Sequence, residues 1–324
     1  MLRCICGRFA GACEPGFGGP GEHNVEGVSM REERFDTVVV GGGQAGLAVG
    51  YYLARRRRDF VIVDAGERIG QSWEERWDSL RLFSPAHFTH LPGLRFPGPR
   101  RYLPSKDEMA DYLRAYTAKF ALPVRLGWRV DDLGRDGDGY LIRSGGRTLR
   151  ARTVVVATGP AMRLRVPAVA SELGAEIRSL HSVEYRNAGQ LRDGAVLIVG
   201  AGNSGAEIAL DLAPTHEVVL AGRDTGRLPI SLGGPVYRVM NRLLTATSPF
   251  GRRFAASVNS GKGTPLVRVR PEDLSDAGVE RAPRVVDQVG GRPRLADGRV
   301  LDVANVVWCT GYRQDYSWIT LAGF

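Results

Sequence analysis

Two glycine signatures of identical spacing constrain this chain more than any other feature. Gly41, Gly43 and Gly46 follow the β-branched run Phe35–Val40, and Gly200, Gly202 and Gly205 follow Val196–Val199. Each position in such a GxGxxG turn has a physical reason. The first glycine permits the tight turn, the second lets a pyrophosphate reach backbone N–H groups, and the third allows helix to pack on strand. Apolar segments with helical character continue to about Arg56 and Leu212, and short strands follow at Phe60–Val63 and Glu217–Leu220. The expected fold is α/β, with two Rossmann-like dinucleotide-binding domains.

The two signatures differ at the end of the second strand. Asp64 lies eighteen residues after Gly46, placed to accept hydrogen bonds from the ribose 2′-OH of an adenosine. The same count from Gly205 reaches Arg223, and a cation there suits a 2′-phosphate, favouring NADP over NAD. Arg227 is a second candidate for that phosphate. The plain alternative for Arg223 is a surface arginine in a chain whose lysines are confined to positions 106, 119 and 262.

Between the signatures lie a loop region rich in proline and aromatics (Trp73–Pro104), an amphipathic helix from about Asp107 to Phe120, and strands near Arg125–Arg129, Tyr140–Arg143 and Thr153–Val156. After the second come an irregular helical insert, about Val236–Val258, and strands near Arg284–Val289 and Val303–Trp308. Two valine-rich strands run into Thr158-Gly159 and Thr310-Gly311 and bracket the second signature, which suggests one domain interrupted by another. The expected division is a flexible N-terminal extension (1–33), the first part of one domain (34–165), an inserted domain (166–300) and a return segment (301–324).

Charge and cysteine usage exclude several classes. The formal net charge of +9 rests on arginine, and the densest run, Arg55–Arg58, follows a helix where cations oppose the negative end of the dipole. No nucleic-acid partner is expected. Cys4, Cys6 and Cys13 lie in a glycine-rich opening without metal-ligand spacing, so neither a disulfide framework nor a metal site is implied. Only Cys309 remains beyond them, which removes the redox cysteine pair that a disulfide reductase requires. Thr37–Ala54 is uncharged, but its glycines read as strand, turn and helix rather than a membrane span. The opening lacks a leader's apolar stretch, and the expectation is a cytoplasmic protein, with Met30 an alternative start.

The motifs VVVGGGQAGL (38–47), GQSW (70–73), WDSLRLFSP (77–85), VVVATGP (154–160), LIVGAGNSGAEIALDL (197–212) and VVWCTGYR (306–313) together resemble the single-component (class B) flavin-dependent monooxygenases, the group of the flavin-containing, plant indole-pyruvate and Baeyer–Villiger monooxygenases. The resemblance runs from about Phe35 to the end. It implies an FAD domain interrupted by an NADP domain. Gly41, Gly43, Gln44, Ala45, Gly46, Asp64 and Trp73, with Thr158 and Gly159, are implied to serve FAD. Gly200, Gly202, Asn203, Ser204, Gly205 and Arg223 are implied to serve NADP, and Thr310 and Gly311 complete the cofactor-binding set.

The implied activity is reduction of FAD by NADPH and insertion of one oxygen of O2 into a small organic substrate through a C4a-hydroperoxyflavin. Such chemistry is the cofactor's, in keeping with the lack of a nucleophilic triad or paired carboxylates in the sequence. The alternative is an uncoupled NADPH oxidase or a non-catalytic remnant. The chain departs from the family pattern in four places. Asp64 stands where glutamate is usual, and the FxGxxxH fingerprint keeps His181 and Tyr185 but has Ala175 and Ile177. Phe83 and Ser84 stand near a customary asparagine, and the strand and helix implied after the TGY motif are not reached by Phe324, so a truncated C-terminus is expected.

Overall fold

A computed structural model describes residues 33–159, 163–226, 252 and 265–321. The N-terminal cysteines, Arg227 and nearly all of the insert expected at Val236–Val258 lie outside the described residues. The chain divides into two compact units, one drawn from Met1–Ile69, Thr117–Gly159 and Tyr316–Phe324, the other from Gly70–Tyr116 and Pro160–Asp315.

In the first unit, β1 (Glu33–Val40) lies between β2 (Phe60–Val63) and β6 (Arg147–Val156), parallel to both, and β3 (Val124–Arg125) extends the parallel edge. β4 (Asp132–Asp136) and β5 (Gly139–Ser144) add an antiparallel meander, giving the order β3-β2-β1-β6-β5-β4. The central strands read as continuous apolar runs because both faces are covered. On one face Val38, Val40, Val61, Val63, Ile142 and Leu149 pack with Trp128 and Ile319. On the other, helix α1 (Gln44–Arg55) comes so close that a Cβ on Gly50 would stand 2.7 Å from the Ile62 side chain. Each buried valine or leucine here contributes about 1.5–3 kcal/mol. Arg55–Arg58 are exposed at the C-terminal end of α1. The tail closes against β4: Leu133 N–H donates to the Trp318 carbonyl at 2.8 Å, and Thr320 N–H to that of Leu133 at 2.9 Å.

The second unit begins with two one-turn helices, α2 (Gln71–Glu74) and α3 (Ala86–Thr89), and the amphipathic α4 (Lys106–Lys119). Met109, Tyr112, Leu113 and Tyr116 form the buried stripe of α4. The hydroxyls of Tyr112 and Tyr116 donate to the carbonyls of Leu94 and Pro92, both at 2.7 Å, which fastens the proline-rich loop without regular structure. After β7 (Arg163–Leu164) comes an all-parallel sheet of β8 (Arg178–His181), β9 (Val196–Val199), β10 (Val218–Ala221), β11 (Glu280–Ala282) and β14 (Asn305–Trp308). Its order is β11-β10-β9-β14-β8. The hairpin β12 (Val285–Val289) and β13 (Arg292–Leu295) and the short β15 (Tyr312–Arg313) lie outside that sheet. Helices α5 (Asn203–Leu212) and α6 (Pro271–Asp276) also belong to the described part of the unit. The strand expected at Arg125–Arg129 is only the two residues of β3. The segment expected to return to the first domain, 301–324, divides at residue 315: β14 pairs with β9 and β8, and only the part from Tyr316 belongs to the first unit.

Candidate functional site

Both glycine signatures form the same cradle. In the first unit Gly41 has φ +111°, which L side chains rarely adopt, and its N–H donates to the Val63 carbonyl at 2.7 Å. A Cβ there would lie 2.4 Å from the Ala157 carbonyl oxygen, and one on Gly46 would lie 1.8 Å from that of Gly41. Gly200 has φ +114° and donates to the Ala221 carbonyl at 2.8 Å. The matching Cβ distances are 2.4 Å from the Cys309 carbonyl oxygen for Gly200, and 1.9 Å from that of Gly200 for Gly205. These glycines are demanded by packing. The middle ones are different: a Cβ on Gly43 or Gly202 would meet nothing within 4 Å.

Gly43 and Gly202 also cap α1 and α5, and neither has a side chain that could cap the first turn. The N–H groups of a first turn lack intrahelical partners and sit at the positive end of the helix dipole. Gln44 and Ala45, like Asn203 and Ser204, are half-buried in these first turns. An open approach at the middle glycine and the positive end of a helix dipole fit a pyrophosphate in both units. The Asn203 amide is used for support, donating to the Pro265 carbonyl at 3.1 Å and accepting from Val267 N–H at 2.8 Å.

Each Thr-Gly pair attaches to the cradle beside it. Ala157, just before Thr158-Gly159, donates to the Val40 carbonyl at 2.7 Å, and Cys309, just before Thr310-Gly311, donates to that of Val199 at 2.8 Å. Thr310-Gly311 therefore stands with the second signature rather than with the first domain's return, because β14 is a neighbour of β9. The repeat is longer than the βαβ opening alone. Thr310 donates its hydroxyl to the Arg165 carbonyl.

The strand ends separate the two cradles. Asp64 Oδ2 accepts from Gly42 N–H at 2.6 Å and Oδ1 from Gly66 N–H at 2.8 Å. Each carboxylate oxygen keeps a second lone-pair direction for a hydroxyl. Hydrogen bonding fixes the equivalent residue in the second unit. Asp64 N–H donates to Arg125 on β3 at 2.9 Å, and Gly222 N–H donates to Ala282 on β11 at 3.1 Å. Gly222, not Arg223, thus occupies the place of Asp64, because the second crossover is one residue shorter and the equal count overshoots. Arg223 is the next residue and is exposed. Asp224 follows, its carboxyl held below the usual range by the Gly226 N–H at 2.8 Å and by the Arg281 guanidinium at 3.5 Å.

Beside the second cradle lie two groups that spacing did not reveal, Glu207 and Arg268. Glu207 on α5 is 7% exposed, and burial pushes its pKa up to about 7, partly opposed by Arg268 at 3.7 Å. Arg268 also donates to the Arg81 carbonyl at 2.9 Å. Trp73 lies in α2, which starts at Gly70 (φ +86°), where a Cβ would come 2.7 Å from Ala110 Cα. His181 is 3% exposed, its Nδ1 accepts from Val183 N–H at 3.3 Å, and burial lowers its pKa. Tyr185 is fully buried, donating to Asp211 at 2.7 Å. These contacts give both fingerprint residues structural work. Among the described residues no cluster of metal-ligating side chains occurs. No helix among them is long and apolar enough to cross a membrane.

The sequence profile of a family described as pyridine nucleotide-disulphide oxidoreductase matches residues 38–233, which spans the first cradle and the whole of the second βαβ unit. An uncharacterized CzcO-like oxidoreductase of Geobacillus kaustophilus is 36% identical over 88% of this chain and 83% of its own. The indole-3-pyruvate monooxygenase YUCCA1 of Oryza sativa subsp. japonica is 31% identical over 88% of this chain and 79% of its own. A flavin-containing monooxygenase from Stenotrophomonas maltophilia superposes with a TM-score of 0.71 at 29% identity, covering 89% of this chain and 81% of that one. The chain belongs to the flavin-containing monooxygenase-like oxidoreductases of this family. As in other flavin-dependent oxidoreductases with this layout, two Rossmann-type sheets carry its signatures. The disulphide in the family's description has no counterpart in cysteine spacing here, since Cys309 is the only cysteine after Cys13.

Proposed function

We propose that the first cradle binds FAD, that the second binds NADPH, and that the chain is an NADPH-dependent flavin monooxygenase acting on a small organic substrate and O2. The observation that carries this reading is the duplicated cradle with unequal strand ends: a braced carboxylate, Asp64, at one and Gly222-Arg223 at the other. Gly41, Gly43, Gln44, Ala45 and Gly46 bring backbone N–H groups to the flavin nucleotide's pyrophosphate, while Asp64, locked by Gly42 and Gly66, accepts its ribose hydroxyls. Thr158 and Gly159 line the same cofactor. Gly200, Gly202, Ser204 and Gly205 do the corresponding work for NADPH, with Asn203 steadying 265–267, Thr310 and Gly311 beside the turn, and Arg223 reading the 2′-phosphate. When bound, the flavin accepts hydride from the nicotinamide and activates oxygen; the chain's own part is to bind, orient and exclude water.

One preparation tests the proposal. The purified protein is expected to be yellow, to release FAD on denaturation, and to oxidise NADPH with oxygen uptake. Hydrogen peroxide formed in equal amount to NADPH would mark an uncoupled oxidase, and a colourless protein that cannot be loaded with FAD would remove the monooxygenase reading.

A further inference from the structure

The difference between the strand ends goes beyond a missing acid. In the first unit the residue after the turn glycine is Gly42, and the residue ending the crossover is Asp64; a Cβ on Gly42 would lie 3.2 Å from Asp64 Cβ. The side chain thus stands on the strand-end partner, and the turn partner is bare. In the second unit the allocation is reversed: the turn partner is Ala201, 6% exposed, and the strand-end partner is Gly222. A Cβ on Gly222 would lie 2.7 Å from Ala201 N and 3.0 Å from Ala201 Cβ. The first of these distances is to backbone, which cannot yield as a flexible side chain can.

We infer that Ala201 and Gly222 together form a steric specificity lock: the backbone nitrogen and methyl of Ala201 crowd any side chain at 222, the position equivalent to the Asp64 carboxylate, so the second cradle is barred from NAD-type recognition there independently of Arg223. This rests on the reading that the second cradle holds a dinucleotide. The acidic residue nearest that strand end, Asp224, is two positions further on and engaged by Gly226 N–H and Arg281. It repeats the aspartate-x-glycine turn of Asp64 and Gly66 outside the ribose position. The lock makes a specific demand: an acid placed at 222 has to be accompanied by removal of the Ala201 methyl and the freedom of backbone that a glycine supplies.

The test uses the FAD-saturated protein, so that the first cradle is filled, and titration calorimetry with ADP-ribose and 2′-phospho-ADP-ribose; thermal melting confirms that each variant folds. Wild type is expected to favour the phosphorylated nucleotide by about tenfold or more. Gly222→Asp alone is expected to weaken both nucleotides and gain nothing for ADP-ribose. Ala201→Gly with Gly222→Asp is expected to tighten ADP-ribose about tenfold over wild type while weakening its phosphorylated form. Ala201→Gly alone keeps the wild-type preference. A Gly222→Asp protein that binds ADP-ribose as tightly as the double variant would overturn the lock while leaving the cofactor assignment intact. A folded double variant with no gain for ADP-ribose would overturn it as well. A wild type that prefers ADP-ribose, or binds neither nucleotide, would overturn the assignment and the lock with it.

Discussion

Arg223 and Glu207 carry the predictions that belong to single side chains. If Arg223 reads a 2′-phosphate, its removal costs one charge-assisted contact of about 1.5–3 kcal/mol, so Arg223→Ala should weaken NADPH roughly tenfold to a hundredfold and leave NADH within about twofold. Equal losses for both nucleotides would return Arg223 to the exposed surface. Glu207 offers a pH signature. Its folded pKa, raised to about 7, exceeds its unfolded value, so its contribution is complete below the unfolded pKa near 4.5 and is lost as pH rises through the folded one. The protein should therefore lose up to roughly 3 kcal/mol of stability between pH 5 and pH 8 relative to Glu207→Gln. Melting temperatures of the two proteins that run parallel across that range would contradict the buried, neutral glutamate. Neither the burial of Glu207 nor its distance from Arg268 can be read along the chain, because they depend on which face of α5 meets the 265–270 segment.

The strand-turn-helix elements were the most legible part, and for a specific reason. Parallel strands buried on both faces have to be apolar throughout, and β2 and β9 match their expected ranges residue for residue. The three glycines of each signature divide into two kinds that sequence treats alike: Gly46 and Gly205 are required by packing, whereas Gly43 and Gly202 face open space. This predicts separable variants. Gly43→Val should leave the fold intact and abolish FAD incorporation, and Gly202→Val should leave flavin in place and abolish NADPH binding, each scored by flavin absorbance and nucleotide titration against the melting temperature. Gly46→Ala, by contrast, places a methyl 1.8 Å from a carbonyl oxygen and should lower the melting temperature first. Were Gly43→Val and Gly202→Val to retain both cofactors, the open approaches would not be the pyrophosphate paths.

At the scale of the whole molecule, the segment from Tyr316 packs into the first unit: Ile319 is 8% exposed and lies in the cluster with Val38, Trp128 and Leu133. Ile319→Ala should cost about 2–4 kcal/mol by denaturant titration and lower flavin retention; an unchanged midpoint would mean the tail is only laid on the surface. Chain order suggested that Val303–Trp308 belongs with this tail, but β14 pairs beside β9. Strand neighbours are chosen by hydrogen bonding and burial over long sequence separations, and two valine-rich strands ending in Thr-Gly are alike in composition. Sequence by itself determined that the chain holds two glycine cradles of Rossmann type and that one strand end is acidic, because glycine spacing and apolar runs are local consequences of backbone sterics. Only the tertiary structure decided that Gly222 stands in the place of Asp64 and that Ala201 lies against it. A count along the chain measures contour length, and equivalence in space is set by which backbone groups pair.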